Sequence, residues 1–145
     1  MDMETVAFRF SDGYAPKEGT INLHKEIIKE KGCVWYGVFG VKLSDKNINK
    51  IINNEGKKII LVKSKTLECY VAEVIDISKD APNDTSLIPS YYRNDTTRVK
   101  TWIKIKDIIE TDKTILEKAV IQSTGKKLIE SINGGMTSFF IIEIE

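Results

Sequence analysis

Histidine is almost missing from this chain, and cysteine, proline and tryptophan are scarce: one His, two Cys, three Pro and two Trp in 145 residues. Two cysteines and one histidine fall short of a zinc site, and no metal or cofactor is expected. Cys33 and Cys69 both sit in apolar, strand-like contexts and read as small buried hydrophobes with free thiols. A charge of one sign is also missing, since 22 basic residues face 21 acidic ones, for a net charge of +1. Proteins that coat duplex DNA unselectively are more basic, so any nucleic-acid site must be a local patch. No apolar run approaches the roughly 20 residues of a membrane span, and Met1-Asp2-Met3-Glu4 lacks a basic leader region. The expectation is a cytoplasmic protein with no membrane partner.

The catalytic inventory is equally thin. There is no Gly-x-Ser-x-Gly elbow and no Cys/His pair for nucleophilic catalysis. Ser123-Thr124-Gly125-Lys126-Lys127 lacks the upstream glycine that a P-loop requires. Glu55-Gly56-Lys57 faintly resembles a nuclease Glu-x-Lys but falls in a turn, and His24 sits inside a helical pattern as a packing or surface residue. Binding, not catalysis, is the expectation.

What is present is enough apolar residue for a core: 41% hydrophobic against 30% charged, without repeats, low-complexity tracts or linkers. A single domain over residues 1–145 is expected. Strands are predicted at 5–10, 33–39, 58–63, 68–77, 99–106 and 138–144 from period-two alternation and apolar runs. Thr20 opens a helix that Gly32 stops, with Leu23, Ile27 and Ile28 inward. Ser44 opens a second, with Ile48, Ile51 and Ile52 on one face. A helical or mixed region covers 114–132, broken near Gly125, and 80–95 is a polar loop holding Tyr91 and Tyr92. About six strands with two or three flanking helices and hairpin-like connections indicate an α+β fold with a closed or nearly closed β-barrel.

The strand Val99-Lys100-Thr101-Trp102-Ile103-Lys104-Ile105-Lys106 carries the strongest functional signal. Val99, Thr101, Ile103 and Ile105 share an inward face. Lys100, Trp102, Lys104 and Lys106 share the other, where ammonium groups suit phosphate and an indole suits base stacking. The plainer reading, and the one preferred, is that Trp102 lies under a neighbouring helix with the lysine stems running past it.

Five segments, in this order, resemble the PUA-like superfamily in its EVE and YTH branches. These are Val6-Ala7-Phe8-Arg9-Phe10, Cys33-Val34-Trp35-Tyr36-Gly37, Ile59-Ile60-Leu61-Val62-Lys63-Ser64, Tyr70-Val71-Ala72-Glu73-Val74 and the run from Val99 to Ile108. The second is similar to the Gly-Val-Trp segment of YTH domains, and the last to their Trp-Ile strand. The N-terminal domains of archaeal McrB-type restriction proteins are similar too. The resemblance, over roughly residues 5 to 110, implies a reader of modified bases. A methylated base of DNA or RNA would flip into a pocket walled by Trp35 and, in place of the family's further tryptophans, by Tyr91 or Tyr92. It further implies base-edge contacts from Ser11, Asp12 and Asn22, and backbone contacts from Arg9, Arg93, Arg98, Lys100, Lys104 and Lys106. Trp102 matches a structural tryptophan of that strand, and Tyr36 should pack on the opposite face. The implied role is the specificity module of a modification-dependent restriction or defence system, with an AAA+ GTPase and a nuclease as partner or fused domain. The alternatives are an RNA-binding or RNA-processing protein of the ASCH kind, and a small-ligand or protein-interaction module on the same fold.

Overall fold

A computed structural model describes residues 3–10, 19–39, 42–54, 56–63, 66–89, 98–132 and 139–144. Apolar side chains at alternate positions build strands β1 (Met3–Phe10), β2 (Val34–Phe39), β3 (Lys58–Lys63), β4 (Cys69–Ser78), β5 (Val99–Thr111) and β7 (Phe139–Ile144). A three-residue strand, β6 (Ala119–Ile121), was not expected; it is too short for periodicity to show and lies inside the stretch that read as helical. All seven join one mixed sheet in the order β2-β5-β4-β3-β1-β7-β6. Only β1 and β3 run parallel; the other neighbours are antiparallel. Among the described residues the sheet is open, with β2 and β6 as its edges, so the expected closure into a barrel is not seen. Among the described residues β2 pairs with β5 alone, and β6 pairs with β7 and, through one bridge at Val120, with Lys127.

Helices α1 (Thr20–Lys31) and α2 (Asp45–Ile52) cover one face of the sheet. Gly32 ends α1 in the left-handed region, φ 90°, where its N–H reaches the Ile28 carbonyl. Ser44 caps α2 by accepting from the Asn47 N–H, but Thr20 is the first residue of α1, not its cap; Gly19 holds that place without a side-chain bond. Ile48 and Ile51 face the core, whereas Ile52 is exposed. Beneath these helices Val6, Phe8, Tyr36, Ile59, Leu61, Ile103 and Ile105 form the main core. On the other face, short helices α3 (Thr114–Lys118) and α4 (Leu128–Ser131) cover a second cluster around Ile60, Val62, Leu116, Leu128 and Ile142, to which Ala119 and Ile121 of β6 also belong. Central strand β3 is therefore apolar on both sides, and its Ile59-Ile60-Leu61-Val62 run is fully buried.

Asn54 fixes the α2–β3 connection. Its amide donates to the carbonyls of Ile51 and Lys58 and to Thr5 Oγ1, while its own carbonyl accepts from the Lys58 N–H at 2.8 Å. Gly56 and Lys57 form the turn that follows, both at positive φ.

His24 is wholly buried in α1, its ring 5.5 Å from that of Tyr36. Its Nδ1 lies 2.7 Å from the Thr20 carbonyl, which can only accept, so Nδ1 carries the proton. Burial pushes the imidazole down from 6.5 to about 4, against the opposing effect of the Thr20 bond. The folded value lies below the unfolded one, so stability is complete above 6.5 and is lost as pH falls towards 4. The loss should reach about 3 kcal/mol. Urea unfolding between pH 7 and 4 tests this: the wild type should lose stability through that window and His24→Leu should show a flatter profile. A wild-type profile flat from 6.5 to 4.5 would contradict it.

Candidate nucleic-acid interface

The β2–β5 register sets Trp35 opposite Lys104 and Gly37 opposite Trp102, and the β4–β5 register adds Asp76 and Ser78 beside the same two β5 residues. With no side chain at Gly37, the face has room for the Trp102 indole, which is fully buried. Trp102 packs with Trp35, Ile88 and Val99, and Leu87 lies against them. The cover is not the helix expected but the 3-10 turn Thr85–Leu87 and the Ile88 that follows it. That turn is held by Asp84, whose carboxylate accepts from the Ser86 N–H and hydroxyl. The Ser86 bonds hold Asp84 below its ordinary value, with smaller help from Lys31 and Lys104.

Val99 was expected to face inward with Ile103 and Ile105. A register shift at Val38/Phe39 turns it to the other side, where it joins Trp102. Thr101 stays on the first face, fully buried, and its Oγ1 accepts from the Leu43 N–H at 2.9 Å. Tyr36 packs opposite Trp35 against Phe8, ring centroids 6.1 Å apart, as expected.

Trp35 is only 7% exposed, and the ammonium of Lys104 lies 5.5 Å from its ring centroid. This is cation–π geometry: the ring face is occupied by a positive charge. Lys100 near the start of the same strand, and Arg98 just before it, are exposed. Lys106 is exposed too but pairs with Glu73 at 3.2 Å.

The remaining candidates divide. Ser11, Asp12, Tyr91, Tyr92 and Arg93 lie outside the described residues. Both flanks of segment 90–97 are nevertheless anchored here, because Ile88 and Val99 belong to the Trp35 cluster. Asn22 is not brought to Trp35. It lines a recess of about 190 Å³ with Phe10, Lys63, Glu68 and Tyr70 at the start of α1, whereas Trp35 follows the end of that helix. Arg9 is also elsewhere: its Nη1 donates to the Ile132 carbonyl at 2.9 Å, fastening β1 to the end of α4. Composition could not anticipate a partner so far along the chain. Ile88 and Asp84 are contributors that sequence reading missed. Asp84 before Thr85-Ser86, with Pro89 closing the segment, was the available signal for a capped turn.

Among the described residues, no three His, Cys, Asp or Glu side chains gather closely enough to hold a metal ion. Cys33 and Cys69 are free thiols, and burial raises that of Cys69. No helix of the described residues is long and apolar enough to cross a membrane.

The described part of this face is thus a nearly buried indole beneath an ammonium, on a mixed sheet flanked by helices. The chain belongs to the PUA-like family, whose profile matches residues 6–131. That membership points to binding of nucleic acid or another ligand in general. Neither curated proteins nor solved structures give a significant match.

Proposed function

We propose that this chain is a non-enzymatic reader of a modified base, of the EVE/YTH type. The observation that carries the reading is the Trp35 ring, set in an apolar cluster, capped by Lys104 and tethered through Ile88 and Val99 to the segment holding Tyr91 and Tyr92. An incoming base would take the place of the Lys104 ammonium on the indole, and Tyr91 or Tyr92 would close the other side. Stacking returns about 1–3 kcal/mol per base, which offsets the cost of flipping it out. A methyl group adds about 0.8 kcal/mol by leaving water. Lys104, once displaced, stays close enough to meet the phosphate next to the flipped base, with Lys100 and Arg98 along the backbone. The base edge is left to Ser11 and Asp12, since Asn22 faces a separate recess. In the same reading the target is DNA, with RNA as the alternative, and the protein is cytoplasmic. It serves as the specificity module of a restriction or defence system that includes an AAA+ GTPase and a nuclease.

The electrostatic part is tested by a salt series on the wild type and on the combined Arg98→Ala, Lys100→Ala, Lys104→Ala protein. Affinity for an oligonucleotide should fall with salt, and the triple variant should lower the log–log slope by about 2–3, near one per lost phosphate contact. A wild-type affinity independent of salt would remove the phosphate role of these residues.

A further inference from the structure

A cavity of about 620 Å³ opens between α2, the turn after β6 and the start of β7, at the opposite edge of the sheet from Trp35. Its volume is that of a small-molecule site, larger than a bare phosphate needs. Lys46, Lys50 and Lys126 line it, together with Ser123, Thr124 and Phe139, and none of the described lining residues is acidic. Lys50 is already engaged: its ammonium lies 2.9 Å from Glu4 and donates to the Gln122 side chain at 2.7 Å. Gln122 donates in turn to Glu4 and Glu143, so the nearby carboxylates are tied into one network. Lys46 and Lys126 have no ion-pair partner among the described residues. Lys46 feels the Glu4 carboxylate and helps to lower its pKa, but neither Lys46 nor Lys126 is held in a described ion pair, and the described lining favours an anion.

The turn is the Ser123-Thr124-Gly125-Lys126 stretch that falls short of a P-loop in sequence, and its backbone agrees. The Gly125 N–H bonds to the Ile121 carbonyl, the Ile121 N–H to the Lys126 carbonyl, and the Lys126 N–H to Thr124 Oγ1. With the Gly125 and Lys126 amides used, no continuous backbone cradle is left, and a phosphate would lean mainly on side chains. The half-buried Phe139 supplies a flat apolar wall beside the cations. Anion-binding groups next to an aromatic face match the two halves of a nucleotide.

We propose that this cavity binds a nucleotide, its phosphate between Lys46, Lys126 and the hydroxyls of Ser123 and Thr124, its base against Phe139. The nucleotide is either free or one unit of a single strand, and the site is independent of the base reader at the other edge.

Amide NMR of the whole chain, titrated with AMP, adenosine and inorganic phosphate, is the test. AMP should shift amides around 46–50, 121–126 and 139–141, and should bind at least about tenfold tighter than either adenosine or phosphate. Lys46→Glu combined with Lys126→Glu changes two exposed residues, so the melting temperature should hold while AMP affinity falls about tenfold or more. A Trp35→Leu protein should keep AMP binding here, which separates this site from the reader. Competition by an unmodified single-stranded oligonucleotide supports the proposal with a strand as the source; AMP binding without competition supports it with a free nucleotide. AMP that leaves these amides unmoved, binds no tighter than phosphate, or binds the double variant as it binds the wild type overturns it.

Discussion

Trp102→Ala should destabilise the fold by about 3–5 kcal/mol, a large share of the roughly 5–15 kcal/mol that holds a domain of this size. The indole is fully buried, and its cluster is small: Trp35, Ile88 and Val99 with Leu87 alongside. A four-residue cluster has few neighbours able to collapse into the space an indole leaves, so the cost belongs at the upper end of the range. The loss should spread to the 3-10 turn, because Leu87 and Ile88 pack in the same small cluster. Trp102→Phe keeps most of the apolar contact and should cost clearly less. Urea denaturation of the three proteins checks this; a loss below about 1 kcal/mol for the alanine variant would mean the cluster is not packed as described.

Trp35→Ala should act on both counts, in a different proportion. Trp35 sits at the edge strand β2, with one face of its ring covered by a lysine in place of apolar side chains. Lys104 regains full hydration when the indole is removed, which softens the cost to stability. The principal effect should be on binding, about 1–3 kcal/mol, or roughly 5- to 150-fold in affinity. Trp35→Leu keeps apolar cover over Ile88 and Val99 while removing the stacking surface, and so isolates the effect on ligand from the effect on folding. A Trp35→Leu protein that melts near the wild type and binds as well as the wild type would leave the indole no part in recognition.

The strands were legible because each alternates or runs apolar for six residues or more, and their order along the chain carried the family resemblance. Strand β6 was not, because three residues hold no period. The open sheet was not, because closure depends on which edges meet, and no local pattern encodes that. Local pattern also placed Val99 wrongly: one bulge inverts every side-chain assignment beyond it. At the candidate site, Lys100 and Lys104 stood out by residue type and alternation, and Trp35 through the family resemblance. Arg9 read as a free cation on the outer face of β1, but a carbonyl 123 residues away accepts from it. Asn22 was grouped with Trp35 through the family resemblance, yet the helical residues from Asn22 to Lys31, at about 1.5 Å each, lie between them. The recess at one end of that helix and the indole at the other share no lining residue.

The most direct measurement is a titration of wild type and Trp35→Leu with matched short oligonucleotides, single- and double-stranded, carrying methylated or unmodified bases at one position. The wild type should prefer one methylated base, and the variant, still folded by thermal melting, should lose that preference while keeping its salt-dependent affinity for unmodified strands. A wild type that binds every oligonucleotide alike, or a Trp35→Leu protein that discriminates as well as the wild type, would contradict the assignment of Trp35 as the wall of a base pocket.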